Sequence, residues 1–206
     1  MTRLTVSDLA CRRAGRLVLR GVGFSLEAGD ALVVTGRNGA GKSTLLALLA
    51  GVLRPDAGTI AFEAPGEATL PESVHWLAAK DGLKAQLTAR ENLLFASACL
   101  GGGLSADAAL ARVGLAAGAD LPTAYLSSGQ RRRLTLARLL ASRRPVWLLD
   151  EPTNALDSQG QALLADLLRE HRADGGIVVA ATHLPLALPE ARELALGPAA
   201  TAERDA

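Results

Sequence analysis

Apolar residues along this chain follow two different periods. Up to about residue 35 they alternate or run together in short bursts, "LTVSDL", "RLVLRGVGFSL" and "ALVVT", separated by "RRAG" and "EAGD". Bursts of that length between turn-forming residues predict β-strands. From Ser43 the period changes, and "STLLALLAG" predicts a short helix closed by Gly51. "RPDAGTIAF" then predicts a turn and a strand, and "SVHWLA" another strand. Helical patterns dominate from Thr88 to about Ser142: "TARENLLFASACL", "SADAALARV" and "SGQRRRLTLARLLA". Strand and helix alternate again through "VWLLD", "SQGQALLADLLREH", "GIVVAAT" and a short "ELAL", and the tail "GPAATAERDA" is expected to fray. Alternation around a helical middle predicts an α/β fold: a core from residues 1–86 and 143–206 that begins with an antiparallel β portion, and an inserted helical portion over 87–142.

Composition narrows the classes without choosing one. A chain of 206 residues is enough for one domain with a sizeable core. Its 22 basic and 21 acidic residues leave a net charge of +1, so no global field favours nucleic acid or an anionic membrane. Cys11 and Cys99 are too few for a disulfide framework or a metal site and read as inert thiols in a reducing cytosol. No apolar run approaches the ~18 residues of a membrane span, and "MTRLTVSDLA" lacks the apolar core of a signal peptide.

The candidate chemistry sits at two strand ends. "GRNGAGKST", Gly36 to Thr44, follows the strand "ALVVT", opens a helix, and fits G-x-x-x-x-G-K-[ST] in the context that pattern needs. Gly36, Gly39 and Gly41 let the backbone through Arg37, Asn38 and Ala40 wrap closely, so that N–H groups and the helix start point at phosphate oxygens. Lys42 brings a mobile positive charge to the β- and γ-phosphates, and Ser43 is placed to ligate Mg²⁺. "VWLLDEPTNALD", Val146 to Asp157, is an apolar strand ending in Asp150 and Glu151. Beside a phosphate loop, Asp150 belongs to the Mg²⁺ shell, and Glu151 can orient a water and accept its proton. The alternative is a pair of solvated loop acids.

A third motif separates the phosphate-loop classes. "LSSGQRRRLTLARLL" starts at Leu126, and Ser127 and Ser128 before Gly129 read as a helix N-cap facing an anion. With "NALD" at Asn154 to Asp157 and His183 in "ATHLPL", the set resembles the ordered motifs of ATP-binding-cassette (ABC) ATPases, over nearly the whole chain. The resemblance implies a phosphate-loop ATPase of the ABC type that binds ATP and Mg²⁺. It implies a head-to-tail pair of cassettes, in which Ser127, Ser128, Gly129 and Gln130 meet the partner copy's γ-phosphate. His183 is then a switch histidine at the γ-phosphate, helping to hold the water of Glu151. Integral membrane permease subunits are the implied partners, at the cytoplasmic face of the cell membrane, with no nucleic acid involved. His75 and His171 read as core or surface residues, and Arg131, Arg132 and Arg133 as the solvated face of the signature helix.

Within that family the chain most resembles ATP-binding subunits of the haem exporters of cytochrome c maturation, through its "LACRRAGRL" start, the compact "KDGLKAQLTARENLLF" and the "THLPL" end. It departs from the pattern at Arg37, where those subunits carry Pro, at Ser128 in place of the second signature Gly, and at Lys80, where the family has a glutamine that reaches the metal. A lysine there would repel Mg²⁺, so Lys80 is expected to point away or to contact phosphate. No aromatic occupies the turn where many cassettes stack adenine, leaving Arg12 or Arg13 as candidates. Alternatives are a cassette of another exporter (lipid, peptide or metal), a non-transport cassette, and a small phosphate-loop kinase. The last has no use for "LSSGQ" or "NALD".

Overall fold

The computed structural model describes residues 2–183 and 186–197; the tail expected to fray lies largely outside them. Two sheets organise the chain. β1 (Arg3–Arg13), β2 (Arg16–Glu27) and β4 (Ala57–Glu63) form an antiparallel sheet in the order β2-β1-β4. β3 (Ala31–Thr35), β5 (Val74–Leu77), β6 (Val146–Asp150), β7 (Ile177–Ala181) and β8 (Arg192–Ala195) form a parallel sheet in the order β5-β6-β7-β3-β8. The helices are α1 (Lys42–Leu49), α2 (Leu70–Ser73), α3 (Ala89–Leu100), α4 (Ala106–Arg112), α5 (Ser128–Ala141) and α6 (Ser158–Ala173). This is the α/β arrangement expected, and α3, α4 and α5, between β5 and β6, pack on one another.

The unbroken apolar runs of the central strands follow from burial on both faces. Every residue of β6 and β7 is buried, and successive side chains enter two different cores. Trp147, Leu149, Val178 and Ala180 pack with α3, α4, α5 and α6, whereas Val146, Leu148, Ile177 and Val179 pack with α1 and the antiparallel sheet. The two-residue period of a strand therefore stitches the layers together. α1 carries Leu45, Leu46 and Leu49, each 0% exposed, under the antiparallel sheet.

Three local features differ from the sequence reading. β1 extends to Arg13, because the turn at Ala14 (φ 48°) and Gly15 (φ 76°) pairs Arg13 directly with Arg16, the geometry of a tight hairpin. β1 also slips register after Val6, around Asp8 at φ 50°. The short α2 was not expected; Thr69 and Glu72 form a reciprocal capping box, with Pro71 in the first turn.

Candidate functional site

Three adjacent strands of the parallel sheet deliver the site. In the order β6-β7-β3, Asp150 ends β6, His183 lies just beyond β7, and Gly36 follows β3. All three loops thus open at the C-terminal edge of the sheet, where α/β sheets receive ligands.

The glycine loop is a tight cradle. Gly36, Gly39 and Gly41 have φ of 143°, 84° and 100°. A Cβ on Gly36 would lie 2.6 Å from the Leu196 carbonyl oxygen, and one on Gly41 would lie 2.7 Å from Leu19 Cδ2. At Gly36 space as well as conformation excludes a side chain; at Gly41 the positive φ disfavours one, and Leu19 and Val18 would have to shift. Lys42 is 7% exposed and its Nζ donates to the Gly36 carbonyl at 2.7 Å, so its charge is held at the loop mouth. Arg37, Asn38, Gly39 and Ser43 are exposed, while Ala40 and Thr44 are half-buried.

Asp150 is 4% exposed, with the Ser43 hydroxyl beside its carboxylate. Burial pushes its carboxyl pKa up; the Ser43 hydroxyl and the charges of Lys42 and Arg132 oppose that, and the Glu151 charge adds to it. A desolvated carboxylate beside a hydroxyl fits a small hard cation. Among the described residues no cluster of three or more His, Cys, Asp or Glu could hold a metal. Ser43 and Asp150 alone suit Mg²⁺, which keeps water and substrate phosphate in its remaining positions.

Glu151 has φ 46°, a left-handed conformation that non-glycine residues seldom adopt. Its N–H donates to Ala181 O at 2.8 Å, anchoring it to the end of β7. Its carboxylate Oε2 lies 2.9 Å from His183 Nδ1 and accepts the His183 backbone N–H at 3.4 Å. An ionised carboxylate only accepts, so Nδ1 carries the proton in this pair. The structure places this histidine on the catalytic-base candidate itself.

The signature residues lie at the start of α5. Ser127 caps the helix: its Oγ accepts Gln130 N–H at 3.1 Å, and Gln130 Oε1 accepts Ser127 N–H at 2.9 Å. Ser127, Ser128 and Gln130 are exposed, and a Cβ on Gly129 would stand 3.3 Å from Ala155 O. The helix start thus faces outward while touching the "NALD" loop.

The expectation for the arginine run is overturned. Arg132 is 6% exposed, with Nε donating to Pro152 O at 3.2 Å and Nη2 to Asp150 O at 3.2 Å and Glu151 O at 2.6 Å. Arg133 clasps both carboxylate oxygens of Asp157 at 2.8 and 3.0 Å. Arg131 donates to Leu126 O at 2.7 Å and stands 3.5 Å from Asp81. A helix turns ~100° per residue, so three neighbouring arginines reach three different elements. No local pattern distinguishes such a run from a solvated face. Lys80 is exposed in the bend after β5, next to the Asp81 that Arg131 engages. Asn92 is a further residue the sequence reading missed; at 5% exposure it holds the loop before α3 through Lys84, Leu87 and Thr88. His75 is buried against Ser142, and His171 stacks on Trp147 with ring centroids 3.9 Å apart.

A glycine cradle and an acid-ended strand are shared by many phosphate-loop proteins; here the buried Arg132 also ties the acid-ended strand to the capped helix α5. The ABC transporter family model matches residues 19–154, and the chain belongs to that family. It is 54% identical to the cytochrome c biogenesis ATP-binding export protein CcmA of Nitrobacter winogradskyi, over 96% of this chain and 100% of that protein. It is 52% identical to the protein of the same name from Rhodopseudomonas palustris, over 96% of this chain and 99% of that one. Among solved structures it resembles an ATP-binding subunit of an ABC transporter, with a TM-score of 0.77 and 26% identity over 88% of this chain and 79% of that one. No helix among the described residues is long and apolar enough to cross a membrane.

Proposed function

We propose that this chain is the ATP-hydrolysing subunit of a membrane exporter serving cytochrome c biogenesis, with haem or a haem–chaperone adduct as the cargo whose movement hydrolysis drives. The hydrolytic part rests on one observation: Asp150, with the Ser43 hydroxyl beside it, adjoins the Glu151–His183 pair at the mouth of the glycine loop. The cytochrome c part is supported by relatives of that name that match along nearly the whole chain.

In this reading the N–H groups from Gly36 to Thr44 bind the ATP phosphates, and Lys42 leaves Gly36 O for the β- and γ-phosphates. Ser43 and Asp150 hold Mg²⁺, which offsets the phosphate charge when bound. Glu151 orients a water for attack on the γ-phosphorus and takes its proton; His183 keeps that carboxylate turned toward the phosphate. Ser127, Ser128, Gly129 and Gln130 close on the nucleotide of a second copy, so ATP favours the closed dimer through contacts the open one lacks. Arg12 and Arg13, exposed at the end of the β1–β2 hairpin, are the candidates for stacking on adenine. The subunit works at the cytoplasmic face of the membrane on integral permease subunits.

The test is to tag a Glu151→Gln variant and isolate it with ATP from detergent-solubilised membranes of its own host. Mass spectrometry of the partners and a haem absorption spectrum are taken on the same sample. Haem-handling membrane proteins are expected. A different permease without haem would remove the cargo assignment and leave the ATPase.

A further inference from the structure

Arg132 carries three hydrogen bonds to three consecutive carbonyls, those of Asp150, Glu151 and Pro152. The middle residue holds the carboxylate assigned to the water, and it stands at φ 46°. A backbone in that region persists only where its surroundings hold it. Three backbone contacts do so here: Glu151 N–H on Ala181 O from the β7 side, Asn154 N–H on Glu151 O at 3.2 Å within the turn, and the Arg132 guanidinium from the α5 side. Arg132 lies five residues after Ser127, about 7.5 Å along the helix axis. α5 itself is stiff: Leu134 and Leu136 are 0% exposed, and Arg133 ties it to Asp157.

We infer that Arg132 is a positioning residue for hydrolysis: it holds the Asp150–Pro152 turn in the one conformation that presents the Glu151 carboxylate, and it transmits the seating of α5 to that turn. The inference rests on the dimeric ATPase reading above. Because the start of α5 contacts the nucleotide of the other copy, loading one site sets the base that serves the other. The two sites are thereby coupled through a side chain that touches neither nucleotide. The planar fork matters: a lysine ammonium keeps the charge but cannot satisfy three carbonyls spread along a turn.

The experiment compares the wild type with Arg132→Met, Arg132→Lys, Glu151→Gln and the Arg132→Met/Glu151→Gln pair. Steady-state Mg²⁺-ATP hydrolysis, its Hill coefficient, and the Kd for a fluorescent ATP analogue are read for each. Residual turnover of the Glu151→Gln proteins is followed with radiolabelled ATP. Arg132→Met is expected to lower kcat by about 100-fold, the scale of a small misplacement of a reacting group, with Kd changed less than about threefold. Its Hill coefficient should fall from the wild-type value to near unity, and Arg132→Lys should lie between. In the Glu151→Gln background, Arg132→Met should remove little further activity, because its effect passes through the carboxylate. A kcat for Arg132→Met close to wild type would overturn the inference. So would an equal further loss in the Glu151→Gln background, which marks a merely structural role. If Arg132→Met does not fold, Arg132→Lys decides on the same readouts. A wild type that binds the analogue but hydrolyses no ATP would instead overturn the ATPase reading, and this inference with it.

Discussion

One buried and one half-buried histidine make this fold sensitive to mild acid. Burial, reinforced by the charges of Arg138 and Arg144 and opposed by the hydrogen bond with Ser142, pushes the His75 pKa down from 6.5 to about 3. Burial likewise pushes His171, stacked on Trp147, down to about 4. Both folded-state values lie below the unfolded one, so between pH 6.5 and these values the unfolded chain binds protons that the folded chain refuses. Stability is full above about pH 6.5 and falls as pH drops. At pH 5 linkage gives about 2 kcal/mol for each ring, or about 4 kcal/mol together. That is a large share of the ~5–15 kcal/mol available to a typical domain. Glu72, Asp120 and Asp157 have lowered values, so their contributions fade only below the ordinary carboxylate range, outside this window. Asp150 acts in the opposite sense, because its raised value lets the folded state take a proton more readily. Urea unfolding followed by circular dichroism at pH 8 and pH 5 measures the difference. In a His75→Asn/His171→Phe protein, which starts less stable at pH 8, the loss between the two pH values should shrink to less than half that of the wild type. An equal loss in both proteins would show that these rings do not carry the acid response.

Glu151→Gln should cut ATP turnover by about 10²–10⁴-fold while nucleotide affinity is retained, as single-turnover and binding assays would read; a variant that hydrolyses at the wild-type rate removes Glu151 from the mechanism. Gly41→Ala forces a Cβ to 2.7 Å from Leu19 Cδ2 at a φ of 100°, and overpacking of this kind costs about 1–3 kcal/mol. Thermal unfolding should register that loss and the ATP-analogue Kd should rise, whereas an unchanged Kd would mean the loop tolerates the strain without losing its cradle. Lys80→Gln removes a positive charge from the bend after β5 and should lower the Mg²⁺ concentration needed for half-maximal hydrolysis. Identical Mg²⁺ titrations would show that position 80 does not report to the site.

What could be read from the sequence and what could not divide along chain distance. The glycine loop was legible because strand, turn and helix are consecutive: everything that makes Gly36 and Gly41 necessary, apart from Leu196, Val18 and Leu19, lies within one short segment. α2 is legible too, since "TLPE" carries the capping-box residues Thr69 and Glu72 with a proline in the first turn. The strand order is a different matter. Periodicity marks β3, β6 and β7 as buried strands but says nothing about which lies beside which, and the site exists because those three are neighbours. His183 is linked to Glu151 across 32 positions, and Arg132 to Pro152 across 20. From the residues alone a histidine after a strand is ambiguous, and its role came through resemblance to a family. Arg132 had no such help: a basic run at the start of a helix looks solvated until β6 is known to end beneath it. The residues that hold the acid turn in place are therefore the ones a local pattern hides, because their partners are backbone carbonyls, which every residue has and no sequence displays.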